Sequence, residues 1–61
     1  MKTLARTVDD LIGTYRTFGP YGPLYEVKSK ISETLVHVVV IESNEELDYA
    51  TERALNDPEA D

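Results

Sequence analysis

His37 is the chain's only histidine, and imidazole is the one side chain whose ordinary pKa suits acid–base chemistry near neutrality. It stands inside the apolar run Leu35 to Ile41, with no serine, cysteine or aspartate beside it in sequence to complete a nucleophile–base pair. There is no cysteine, which removes thiolate catalysis, thiolate metal ligation and disulfides together. The acids Asp9-Asp10 and Glu45-Glu46 are adjacent, whereas cation loops set their ligands at alternate or wider spacings. One histidine and scattered carboxylates also fall short of a tetrahedral metal set. Gly19-Pro20-Tyr21-Gly22-Pro23 has the glycines of a phosphate loop, but its prolines lack the N–H groups that cradle an anion. The expectation is a chain without catalytic residues, metal or cofactor.

Residues suited to recognition are better represented. Tyr15, Phe18, Tyr21 and Tyr25 lie within eleven residues, around the proline-rich loop. Tyrosine offers a large contact area at low entropic cost and is favoured at interfaces. Tyr21, between Pro20 and Gly22, is expected at the loop tip as an exposed anchor, with Phe18 and Tyr25 beside it. The competing reading gives Tyr15 and Phe18 to the core.

These residues need elements to hold them. Leu4, Val8, Leu11 and Ile12 form one stripe of a short helical arm over 1–12, which Thr3 caps and Gly13 ends. From Gly13 the composition turns β-branched and aromatic, predicting strands over 13–18, 24–29, 35–42 and 46–49. Thr51 is placed to cap a helical turn through Asn56, Pro58 blocks its extension, and 58–61 reads as a loose tail. Strands this close cannot be parallel, because parallel pairing needs long crossovers. The fold class is therefore mainly β in one domain over 1–61, its β unit spanning 13–57. It is expected to be a small antiparallel SH3-like barrel or a curled meander sheet, with a short N-terminal helix and a C-terminal helical turn.

In the third strand, Val36, Val38 and Val40 share one face and Leu35, His37, Val39 and Ile41 the other. An unpaired buried imidazole is costly, so His37 marks its own face as the outer one. The expected core is Ile12, Tyr15, Val27, Val36, Val38, Val40, Leu47 and Leu55. Val39 and Ile41 are left on the outer face, either under the N-terminal helix or against another chain.

Size and charge bound the function. Sixty-one residues make one marginal core, so self-association or co-folding with a partner is expected. Net charge is −6, unevenly placed. Residues 1–30 carry five cations against three acids, and residues 31–61 carry Arg53 alone against nine acids. That balance disfavours direct nucleic-acid binding and points to a basic partner, with Glu45, Glu46 and Asp48 as contact residues, unless the acids are only a solvated face. No apolar run approaches the ~20 residues of a membrane span, and Met1 to Leu4 do not open a signal peptide, so a cytoplasmic protein is expected.

One resemblance makes this more specific. Gly13 to Val27 with its TFGPYGPLYEV block, then Val38 to Tyr49 and Ala54 to Ala60, resembles a family of short bacterial proteins. That family includes antitoxins of the VapX type, paired with toxins of the virulence-associated protein D class, small ferredoxin-like ribonucleases. The resemblance implies an antitoxin-like protein that binds such a ribonuclease and occludes its cleft. The alternative is a small adaptor, or a phage-type inhibitor protein, without a toxin partner.

Overall fold

The structure, a computed structural model, describes residues 8–60. A single helical turn, α1 (Val8–Leu11), is followed by β1 (Tyr15–Thr17), β2 (Leu24–Ser32), β3 (Leu35–Val40), β4 (Glu46–Ala50) and α2 (Thr51–Asn56). The strands form one antiparallel sheet in the order β1-β2-β3-β4, as tight connections between successive strands require. Thr3 and Leu4, the expected start of the N-terminal helix, lie outside the described residues.

The sheet is an open meander and not a closed barrel, since β1 and β4, its outer strands, do not pair with each other. Its outer strands end differently. Along β1, the Thr17 N–H donates to the Pro58 carbonyl at 3.1 Å, and the Ala60 N–H donates to the Tyr15 carbonyl at 2.7 Å. Residues 58–60, expected to be loose, thus lie along the first strand in a bridge of Arg16 to Glu59. Along β4 no described backbone group pairs on the outer side.

One face of the sheet carries the core: Leu11, Tyr25, Val27, Val36, Val38 and Ala54, with Phe18, Tyr49 and Leu55 packed against it. The alternation of β3 is as its sequence dictates, Val36, Val38 and Val40 inward. Leu11 and Ala54 bring α1 and α2 to that same face, so the described turn of the N-terminal helix does not cover Val39 and Ile41. Gly13, at φ 88°, ends α1 in the left-handed conformation, and the Thr14 hydroxyl donates to the Leu11 carbonyl at 2.7 Å.

Three core assignments change: Ile12, Tyr15 and Leu47 are exposed, while Leu55 is partly buried against the core. Tyr15 pairs with Glu26 on the outer face, which sends Arg16, opposite Tyr25, inward. Ala50, not Thr51, holds the N-cap position of α2 and makes no side-chain capping bond. The Thr51 hydroxyl is instead buried and has no hydrogen-bond partner among the described residues.

Candidate functional site

Two loops meet at one end of the sheet. β1 enters the segment 18–23 there, and β3 enters the turn 41–45; the Ile41 N–H donates to the Leu24 carbonyl at 3.0 Å and ties them together. The 18–23 loop is pinned at its base. Phe18 N–H donates to the Pro23 carbonyl at 3.1 Å, the Thr17 hydroxyl to the Gly19 carbonyl at 2.7 Å, and Gly19 N–H to Asp57 Oδ1 at 3.2 Å. Gly19 sits at φ 73°, and any Cβ at Gly22 would collide with the Phe18 carbonyl. With its base fixed, the loop holds Tyr21 out in solvent, 98% exposed. In the neighbouring turn, Asn44 at φ 62° takes the left-handed position that a glycine would otherwise fill. Its N–H donates to the Val40 carbonyl at 2.7 Å, and Glu42 and Glu45 stand exposed around it. Tyr21, Ile41 and Glu45 are thereby brought to one end of the molecule.

Tyr25 is core and not a surface anchor, and Phe18 is half-buried. The Phe18 ring lies 4.2 Å from that of Tyr25 and meets Tyr49 edge-on at 5.1 Å, and Tyr25 is fully buried. Both tyrosine hydroxyls donate to Asp57 Oδ2, Tyr25 at 2.7 Å and Tyr49 at 3.0 Å. Burial first, and then the Asp57 carboxylate, push the Tyr25 phenol far above its ordinary range. Buried Arg16 completes the knot: Nη1 donates to the Ala54 and Asp57 carbonyls, each at 3.1 Å, and Nε to the Thr14 hydroxyl at 3.2 Å. A guanidinium at the last carbonyls of a helix is electrostatically favourable. Phe18, Gly19, Tyr49, Arg53, Asn56 and Asp57 line an open groove of about 470 Å³ here. Both Asp57 oxygens already accept bonds, so this carboxylate is a structural tie. Sequence reasoning missed Asp57 and Arg16; the only local signal was Asp57 before Pro58, which ends the helix but says nothing of the tyrosines.

The outer face holds the remaining site residues, Val39, Glu46 and Asp48. His37, which has no acid beside it in sequence, gains two across the strand pair. Nε2 lies 2.8 Å from Glu46 Oε1 and Nδ1 lies 3.4 Å from Asp48 Oδ1. Hydrogen bonding to Glu46, then to Asp48, raises the imidazole pKa above its ordinary value. Register also places Ser29 of β2 opposite His37 and His37 opposite Asp48, the residue types of a nucleophilic triad in one row. Both ring nitrogens are occupied by carboxylates, however, so Nε2 is not free to take a proton from a serine hydroxyl. Among the described residues no group of three or more His, Asp or Glu side chains converges to hold a metal ion, and no helix is long and apolar enough to cross a membrane.

Among the described residues the structure thus brings together a pinned aromatic loop, an acidic turn beside it and an acidic, unpaired sheet edge along β4. The chain belongs to the DUF5397 family, a family of unknown function, which it matches over residues 3–61. No curated protein and no solved structure matches it.

Proposed function

We propose that this chain is an antitoxin-like protein of the bacterial cytoplasm that binds a small basic toxin ribonuclease and blocks access to its cleft. The observation that carries the reading is Tyr21, fully presented on a loop whose base is hydrogen-bonded on both sides, at the same end of the sheet as exposed Glu42 and Glu45. An anchor held in place before binding loses little conformational entropy on association. A ribonuclease must present positive potential to attract phosphate, and the acidic half of this chain is steered toward the same surface. The partner class comes from the TFGPYGPLYEV resemblance; the geometry supplies the means of contact. Ile41 is the apolar neighbour of Tyr21's loop, with Glu45 at the rim and Glu46 and Asp48 continuing the acidic surface along β4.

Co-expression with the product of the adjacent open reading frame tests the biology, rescue of growth being expected. For the complex, Tyr21→Ala weakens binding about 30-fold, equivalent to roughly 2 kcal/mol at a hot spot. The triple change Glu45/Glu46/Asp48→Ala slows association and flattens its salt dependence, with little change in dissociation. A neighbouring gene that encodes no nuclease, together with absent rescue, sinks the antitoxin reading. Rescue with unaltered kinetics in the triple variant reduces the acids to a solvated face.

A further inference from the structure

We propose that the free edge of β4 accepts an extended segment of a partner protein, one in which basic residues alternate with apolar ones, as an added strand. This surface shares Glu46 and Asp48 with the acidic rim described above but not Tyr21, and it does not depend on the ribonuclease reading.

In an antiparallel pair, residues exchange both backbone bonds with the partner strand at every second position and face away from it at the others. Val40 N–H donates to the Glu45 carbonyl at 2.7 Å, and Thr51 N–H to the Thr34 carbonyl at 3.0 Å. The register between β3 and β4 therefore makes Leu47 and Tyr49 the inward-bonded positions. The N–H and C=O of Glu46 and Asp48, and the N–H of Ala50, are turned outward, where no described backbone group meets them. The opposite edge of the sheet is closed by residues 58–60. Among the described residues, one edge is covered and the other is bare.

The side chains beside this edge define what fits. Glu46 and Asp48 stand on the outer face, and His37 draws both carboxylates back over β3, away from the backbone groups. Leu47 and Tyr49 lie on the other face, Leu47 exposed. A strand laid along β4 would set one row of its side chains against two carboxylates and the other row against Leu47 and Tyr49. Lysine or arginine alternating with a β-branched or aliphatic residue satisfies both rows. A second copy of this chain does not. Antiparallel pairing of two β4 strands centred on Leu47 sets Glu46 of one copy directly across from Asp48 of the other, and like charges in that position are destabilising. The competing account is that the two acids only guard the edge against aggregation.

The test uses the full chain and a capped nine-residue peptide of alternating lysine and valine. Amide hydrogen exchange and chemical-shift mapping by NMR are the readouts. The expected result is at least tenfold slower exchange at the Glu46, Asp48 and Ala50 amides when the peptide is bound. Protection is lost when alternate peptide nitrogens are N-methylated, because the ladder bonds cannot form. It falls at least tenfold in affinity for Glu46→Lys/Asp48→Lys and is unchanged for Tyr21→Ala. Equal protection by a peptide of the same composition with its lysines contiguous overturns the proposal, because attraction is then charge alone. Concentration-dependent protection of these amides in the free chain overturns it in favour of a second copy. No shift at millimolar peptide, or shifts confined to 41–45 and Tyr21, leaves the acids as edge guards and overturns it equally.

Discussion

Asp57 and Arg16 tie together segments far apart in the chain. The two carboxylate oxygens of Asp57 accept from Tyr25, Tyr49 and the Gly19 N–H, and its own carbonyl accepts from buried Arg16. Removing the carboxylate leaves the buried Tyr25 hydroxyl without its acceptor, and hydrogen bonds to a charged group contribute about 1.5–3 kcal/mol each. Asp57→Ala is therefore expected to lower the unfolding free energy by about 2–3 kcal/mol in urea titration, and the wild-type value would refute the knot. His37 makes a pH-dependent prediction. Its neighbours across the β3–β4 pair are Glu46 and Asp48, and on β2 it faces neutral Ser29. Its folded pKa is raised above 6.5, so its contribution is complete below the unfolded value and fades as pH rises through the folded one. NMR titration of the imidazole should give a midpoint above 6.5 that drops back toward it in Glu46→Gln; an unmoved midpoint would mean that the bond to Glu46 does not form in solution.

At the scale of elements, the loop 18–23 is held by backbone bonds and by a close approach. A methyl group at Gly22 has no room beside the Phe18 backbone, and forcing extra volume into a packed site costs about 1–3 kcal/mol. Gly22→Ala should destabilise the chain by that amount and broaden the NMR signals of the loop. A melting temperature equal to wild type would show that the base of the loop is not pinned. Strand assignments from the sequence differ in how well they survive. Residues 35–40 alternate cleanly, and both faces follow from that. Tyr15–Thr17 is three residues of mixed type, too short for alternation to set its parity, so Tyr15 and Arg16 exchange sides. β2 runs on through Ser32, past the expected strand end at residue 29, across two register shifts.

The whole molecule rests on one small core on one side of one sheet. Val38 lies at its centre, fully buried, and an uncompensated buried charge costs several kcal/mol, comparable to the stability of a chain this short. Val38→Asp should leave the chain unfolded by circular dichroism at ambient temperature, whereas the same change at Val39, on the outer face, should leave it folded. A folded Val38→Asp protein would invert the assignment of faces. The open architecture also leaves that outer face, with Leu35, Val39 and Ile41, uncovered by either described helix.

The sequence by itself determined the local pattern: the glycine–proline loop, the exposed Tyr21, the antiparallel meander and the inward valines of β3. Each depends on backbone preference or on periodicity over a few residues, and these act before any distant partner arrives. Only the tertiary structure decided that Tyr25 is core, that Arg16 is buried, that Asp57 ties two tyrosines, and that one edge is closed while the outer side of β4 meets no described backbone group. Those outcomes depend on pairs far apart in the chain, Arg16 with Asp57 at a separation of 41 residues and Tyr25 with Asp57 at 32. A polar residue's type shows that it needs a partner, but folding alone selects which one it meets.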